Sequence, residues 1–275
     1  MTSLLKQIRK SIPIRSHHRS LSTSTAPPTS QCIDVHTHIY LRRYVELLRS
    51  RQEIPRIVVN DRNENRLVIL PTDDEFKNNR KIGAEYFDIN SKLQFMDKHN
   101  ISTSIISTAN PWLDFLAESR SDSVRFANLL NTDLQEICEK SRDRLFAFGL
   151  LPNHKERPFN VKDCITEIEC LSKLDRIKGV IVGAHGIFGR GLDDVECTDI
   201  YHCLADHGLF VFVHPHYGVG NEYFDDFGHA LHLALGFTFE TTVAISRLIC
   251  SGIFDQVPKL KLILAHCMLT VMVTT

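Results

Sequence analysis

Histidine is the residue type whose placement could do chemistry in this chain. Two of them stand at i and i+2 in the run Cys32-Ile33-Asp34-Val35-His36-Thr37-His38. In an extended segment such a pair points to one face, so both imidazoles can reach a single point. Neutral imidazoles converging on one point suit zinc, manganese or iron. A solvated strand face would show the same spacing, and the pair alone does not separate the two readings. His214 closes the apolar run Leu209-Phe210-Val211-Phe212-Val213 and precedes Pro215, and His266 closes Leu260 to Ala265 in the same way. Each taken singly could be a strand cap satisfied by a backbone carbonyl. Four histidines at the ends of three apolar runs point instead to a shared metal site.

The elements that must position them are legible from periodicity. Strands are predicted over Cys32–His36, Ser102–Thr108, Arg144–Leu151, Ile177–Gly183, Leu209–His214 and Leu260–His266. Several are apolar on both faces, the pattern of parallel strands covered by crossover helices. Helical spacing fills the intervals, as in Val124, Ala127, Leu130, Leu134, Ile137 and Cys138, and again from Val161 to Leu174. A third helix is predicted over Phe239–Val257, closed by Pro258. The stretch Pro55–Pro71 differs, because Ile57–Val59 and Leu67–Leu70 flank a polar segment and predict a hairpin inserted after the first strand. Six β-then-α units in succession predict an α/β fold, a (β/α)8 TIM-type barrel truncated after its sixth strand. In such a barrel chemistry sits at the carboxyl ends of the strands, where all four histidines fall. A doubly wound open sheet is the structural alternative, but neither G-x-G-x-x-G nor G-x-x-x-x-G-K-[ST] follows any strand.

Composition narrows the partners. The 275 residues carry a formal net charge of -1, which favours neither nucleic acid nor an anionic membrane. No uninterrupted apolar run approaches the roughly 20 residues of a spanning helix. The eight cysteines form no C-x-x-C pair and read as free thiols, small core hydrophobes in a reducing compartment. Residues 1–31 hold Lys6, Arg9, Lys10, Arg15 and Arg19, no Asp or Glu, and a Ser/Thr/Pro-rich stretch to Ser30. That is the composition of a mitochondrial transit peptide, with a disordered basic leader as the alternative. A mitochondrial matrix location is expected, or a cytoplasmic one if the segment is only a leader. Residues 32–275 form the barrel domain.

The run Ile33-Asp34-Val35-His36-Thr37-His38, with His214-Pro215 and Ala265-His266, resembles the aminocarboxymuconate-semialdehyde decarboxylase family of the amidohydrolase superfamily. Further segments resemble its iso-orotate (uracil-5-carboxylate) decarboxylase type: Ile106 to Leu116, Gly191 to Asp194, Val213 to Gly218, Leu235 to Phe237, Glu240 to Ala244, and Ile263 to His266. The likeness runs from Cys32 to His266. It implies that His36, His38 and His214 are ligands of one divalent metal ion, zinc first, with manganese or iron as alternatives. It implies a catalytic His266 that hydrogen-bonds metal-bound water or substrate, and a substrate pocket lined by Asn110 and Phe237. The residues themselves would leave Asn110-Pro111 a turn and Phe237 a core aromatic. Binuclear members of the superfamily place a carboxylated lysine at the end of strand four. Here that end reads Val180-Ile181-Val182-Gly183-Ala184-His185, with Lys178 at the opposite end, so a single metal is expected. His185 and His216 are expected near the mouth, within reach of substrate.

The activity implied is non-oxidative decarboxylation of a small unsaturated or aromatic carboxylic acid, such as aminocarboxymuconate semialdehyde, uracil-5-carboxylate or 6-methylsalicylate. No pyridoxal lysine motif or thiamine site is seen, so the substrate itself must hold the electron pair. His266 is expected to shuttle a proton near neutrality. A homodimer follows from the resemblance. The family also places an aspartate at the end of its eighth strand, and no acidic residue follows His266 in this sequence. A truncated gene product is therefore expected, with an inactive product as one alternative reading. A metal-dependent hydrolase of an amide, lactone or phosphoester is the other.

Overall fold

The six apolar runs become one parallel sheet in a computed structural model that describes residues 32–74, 79–153, 161–217, 223–224, 227 and 229–266. In chain order the strands are β1 (Cys32–Ile39), β2 (Arg56–Val59), β3 (Asn65–Val68), β4 (Arg80–Lys81), β5 (Ile101–Thr108), β6 (Leu145–Gly149), β7 (Ile177–Gly183), β8 (Phe210–His214) and β9 (Lys261–Leu264). The large sheet runs β1-β5-β6-β7-β8-β9, every pair parallel. The helices are α1 (Arg42–Arg49), α2 (Ile89–Lys98), α3 (Arg120–Glu139), α4 (Val161–Leu171), α5 (Thr198–Asp206), α6 (Phe237–Cys250) and α7 (Ile253–Gln256). All six predicted strands appear, their ends shifted by a few residues.

This sheet is strongly curled. β1 and β9 are its two edges among the described residues. Five spacings of a flat sheet would hold them about 24 Å apart. The rings of His36 on β1 and His266 just past β9 nevertheless lie 4.8 Å apart. The six strands thus form a curled half-barrel with the carboxyl ends turned toward one centre.

Burial follows the sequence pattern. Phe148, Val180, Val211, Phe212 and Val213 are almost wholly inaccessible, as strands covered on both faces require. A Cβ on Gly179 would lie 2.1 Å from the Phe210 carbonyl oxygen, so only glycine lets β7 and β8 pair at that register. On α3 the buried face is Ser123, Ala127, Leu130, Asn131, Leu134, Gln135 and Cys138, and Ser119 caps its start by accepting from the Asp122 N–H. Asn131 joins that helix to the end of β6. Its amide donates to the Leu150 carbonyl at 2.9 Å and to Glu167 at 2.7 Å, and accepts from the Leu150 N–H at 2.7 Å.

Three expectations need revision. The hairpin is a three-stranded antiparallel sheet, because Arg80–Lys81 adds β4 beside β3. The helix predicted over Phe239–Val257 opens earlier through a π turn at His232–Gly236 and breaks at Gly252, whose φ of 72° begins α7. Its whole run, His229–Cys250, has 22 residues at a mean hydropathy of 1.4, long and apolar enough to cross a bilayer by length and composition. An uninterrupted-run criterion misses it because Glu240 and Arg247 interrupt the run. Ala244, Ile245 and Leu248 of this helix join the core. Third, Cys138, Cys164 and Cys197 are buried free thiols, but Cys32, Cys170 and Cys250 are exposed and are not core hydrophobes. The basic leader and the segment after His266 lie outside the described residues.

Candidate metal centre and its pocket

The four histidines meet at the carboxyl ends of the edge strands and β8. His36 and His38 leave β1 beside a bulge, since β1 advances from Asp34 to Thr37 while β5 advances only from Ser104 to Ile106. Bulges re-aim side chains in this way next to functional sites. His214 ends β8 and His266 follows β9. Ring centroids of His36 lie 5.1 Å from those of both His38 and His214. Ring nitrogens of His36, His214 and His266 fall within 4.8 Å of one another. His38 Nε2 is 3.1 Å from His214 Nε2.

Outer contacts set the tautomers. The Pro215 carbonyl can only accept, so His214 Nδ1–H donates to it at 2.8 Å and the lone pair stays on Nε2. His38 Nδ1 is 2.9 Å from the hydroxyl of buried Ser107, which can accept and leave the His38 Nε2 lone pair facing that of His214. Two ligands of one tetrahedral zinc, each about 2.0–2.1 Å away, sit about 3.3 Å from each other. The observed 3.1 Å fits that edge, and a cation between the two nitrogens is what resolves facing lone pairs. This donor set fits a divalent ion.

Electrostatics agree. Burial first, then the neighbouring histidines and Arg80, push His38 down to about 3. Burial also lowers His36 and holds His214 well below the ordinary histidine range. All four rings are therefore neutral near neutrality, the state that ligates metal. His266 is a correction: burial and the His36 charge push it down to about 4, so it does not titrate near neutrality as expected.

Next to the cluster is a cavity of about 300 Å³. Asn110 and Phe237 both line it, so all six candidate site residues share one space. The Asn110 amide donates to the Pro215 carbonyl at 3.3 Å, and the Phe237 ring lies 5.2 Å from His266 and 6.0 Å from His214. Two further polar residues, Arg80 and Tyr217, line it as well. Arg80 comes from β4, stacks 4.9 Å over the Tyr86 ring and donates to the Tyr86 hydroxyl. Tyr217 stands just past β8. Arg80 lies beyond the predicted hairpin Pro55–Pro71 and carried no sequence signal, and the motif around His214-Pro215 contained Tyr217 without marking it. Trp112, Tyr217 and His266 all have positive φ (53°, 34° and 52°), strain of the kind retained around functional sites.

His185 and His216 do not line this cavity. His216 Nε2 is 3.1 Å and His185 Nε2 3.4 Å from Asp114 Oδ2, and Asn153 donates to the other oxygen at 2.7 Å. Burial alone would raise the Asp114 carboxyl, but the two histidines outweigh it and hold it well below the usual carboxylate range. Both rings gather instead on the single, partly exposed carboxylate of Asp114. Lys178 sits at the entry end of β7, its ammonium donating to the Asp175 carbonyl at 2.8 Å, away from the cluster.

A curled parallel sheet with imidazoles gathered at its strand ends defines an α/β-barrel protein with a metal-ligating site. The chain belongs to the amidohydrolase family, whose model, described as "Amidohydrolase", matches residues 33–270. It is similar to 2-amino-3-carboxymuconate-6-semialdehyde decarboxylase of Dictyostelium discoideum, 24% identical over 236 residues, 85% of this chain and 62% of that protein. It is similar to gamma-resorcylate decarboxylase of Rhodococcus jostii, 27% identical over 201 residues, 68% of this chain and 58% of that protein. Among solved structures, IDCase of Metarhizium anisopliae in apo form superposes with a TM-score of 0.77 at 36% identity, covering 86% of this chain and 65% of that one. A dihydroxybenzoic acid decarboxylase from Polaromonas sp. with bound manganese and 2-nitroresorcinol shares the fold at 21% identity and a TM-score of 0.62, covering 86% of this chain and 65% of that one. The chain spans about six-tenths of the length of the curated relatives it matches.

Proposed function

We propose that the protein is a metal-dependent, non-oxidative decarboxylase of a small unsaturated or aromatic carboxylic acid, uracil-5-carboxylate foremost. The observation that carries this reading is the convergence of neutral His36, His38, His214 and His266 on a cavity also lined by Arg80, Asn110 and Phe237. Of these, His36, His38 and His214 are the proposed ligands of one divalent ion, zinc first with manganese or iron as alternatives, and manganese in the Polaromonas structure supports that class of ion. Such an ion, when bound, supplies Lewis acidity and a template for a carboxylate and its neighbouring oxygen.

The chain's own residues supply the rest. Leu67, Ile69, Leu233 and Phe237 form apolar walls that suit a planar ring and exclude water from it. Arg80 offers a fixed positive charge to a substrate oxygen. His266, neutral, presents a ring nitrogen for hydrogen bonding to the reacting carboxylate. The bond to the carboxylate breaks as carbon dioxide leaves, and the carbon that carried it takes up one proton from the medium, an exchange that needs no redox partner.

The test is incubation of the metal-loaded protein with uracil-5-carboxylate, aminocarboxymuconate semialdehyde and 6-methylsalicylate, following ultraviolet loss and CO₂ release. Turnover of one of them is expected. Hydrolysis of a model lactone with no CO₂ from any acid would reverse the reading in favour of a hydrolase. We further propose that residues 1–31 direct the protein to mitochondria, on their acid-free basic composition. A fluorescent protein fused behind them should co-localise with a mitochondrial dye, and a diffuse cytoplasmic signal would refute that. A homodimer is proposed on the family resemblance alone, and sedimentation of the purified protein checks it.

A further inference from the structure

His36 and His38 sit on the stretch of β1 where the register of the sheet breaks. Asp34 pairs with Ser104 and Thr37 with Ile106, so Val35 and His36 have no register partner on β5. No strand flanks β1 on its other side among the described residues. An extra residue of this kind disrupts the ladder and lets the strand bend. Yet two imidazoles that share one ion must keep their positions to about 0.5 Å. Side chains supply what the ladder does not. Asp34 Oδ1 accepts from the His36 N–H at 3.0 Å, and Asp34 Oδ2 lies 3.5 Å from the Ser104 hydroxyl. Asp34 thereby ties the bulged residue back to β5. One position further on, the Lys92 ammonium of α2 donates to the Thr37 hydroxyl at 2.7 Å. Thr37 stands between the two histidines, so the motif is held at His36 and again before His38.

We propose that Asp34 and Lys92 are positioning residues of the metal centre. Asp34 fixes the main chain of His36, and Lys92, through Thr37, fixes the chain between His36 and His38. Both roles rest on the reading of His36 and His38 as ligands of one divalent ion, and they add to it the groups that aim those ligands. The two side chains carry opposite charges, which separates positioning from simple electrostatics. An ammonium repels a bound cation, so charge alone would make removal of Lys92 tighten metal binding. If the hydrogen bond to Thr37 holds the ligand strand, removal weakens binding despite the relief of charge. Asp34 divides likewise between its charge, which attracts a cation, and its acceptor oxygen, which asparagine retains.

The test is zinc affinity of the full chain, by competition with a chromophoric chelator, with the visible bands of the cobalt(II)-loaded protein reporting ligand angles. Asp34→Ala should weaken zinc about 10-fold, the lower end for an outer partner of a ligating histidine, and shift the cobalt bands. Asp34→Asn, which keeps the acceptor and drops the charge, should stay within about threefold of the parent with its bands in place. Lys92→Met and Thr37→Val should each weaken zinc about three- to tenfold. They break one contact from its two ends, so the double variant should bind zinc no more weakly than the weaker single variant. Melting temperatures of the zinc-free variants should stay close to the parent's. Should Asp34→Ala fail to fold, Asp34→Asn and the Lys92–Thr37 cycle decide. Equal or tighter zinc binding in Lys92→Met, additive losses in the double variant, or Asp34→Asn beyond about threefold overturns the proposal and leaves the ligand set standing. A parent that binds no zinc overturns the ligand reading and the proposal with it.

Discussion

Ser107, one residue before the end of β5, has its hydroxyl 2.9 Å from His38 Nδ1 and no exposure to solvent. Replacing it with alanine removes one oxygen and adds nothing, so the sheet and the ligand set stay in place. What is lost is the acceptor that holds the proton on His38 Nδ1 and the lone pair on Nε2. A buried N–H left without a partner costs about 1–3 kcal/mol, and losing an outer-shell partner of a metal-ligating histidine typically weakens metal affinity 10- to 100-fold. The two figures agree, since each tenfold step is about 1.4 kcal/mol. Ser107→Ala should therefore bind zinc about 10- to 100-fold more weakly in competition with a chromophoric chelator. Thermal unfolding gives an independent reading. At zinc equal to about 100 times the parent dissociation constant, the ion stabilises the parent by about 2.7 kcal/mol, and a tenfold weaker site should lose about half of that. The metal-free proteins should differ far less. Zinc affinity unchanged in Ser107→Ala would mean that His38 is not a ligand, and the facing-lone-pair argument would fail.

Three further outcomes are expected. Asn131→Ala unpairs the Leu150 N–H and carbonyl and leaves Glu167 only its Asn128 partner, so it should destabilise by about 3 kcal/mol in urea unfolding, and a loss under about 1 kcal/mol would contradict the clamp. Glu167 has its carboxyl raised by burial, with the Asn131 amide acting against that. Its contribution is thus fully present below the ordinary glutamate value and lost as pH rises through the raised one, so Glu167→Gln should flatten stability between mildly acidic and neutral pH. Parallel pH–stability curves for the two proteins would refute this. Phe212 is buried between Phe148, 5.0 Å away, and His36, 5.4 Å away, so Phe212→Ala should cost about 3–5 kcal/mol and also weaken zinc binding by loosening His36. Chelator competition with retained parent affinity would separate the two effects and remove the second.

The order of strands was legible because each is a short run rich in β-branched and aromatic residues, three of them ending at histidines, and local periodicity carries that information. The bulge between Asp34 and Thr37 was not, since it is a mismatch with β5 and has no signature in β1 alone. The break at Gly252 shows a similar limit: the apolar spacing continues through it, and only the turn geometry ends α6.

Sequence by itself determined the half-barrel, the family likeness and the four histidines, since all of these are written in residue types at fixed short spacings. Tertiary structure decided what each histidine does. Asp114 holds His185 and His216 beside it, while His229, in no strand-end motif, bridges Asp73 and Tyr217. It also brought Arg80 across from the insertion and lowered His266 to about 4. Burial, tautomer and charge environment depend on partners tens of residues away, and no local pattern encodes which of them will meet.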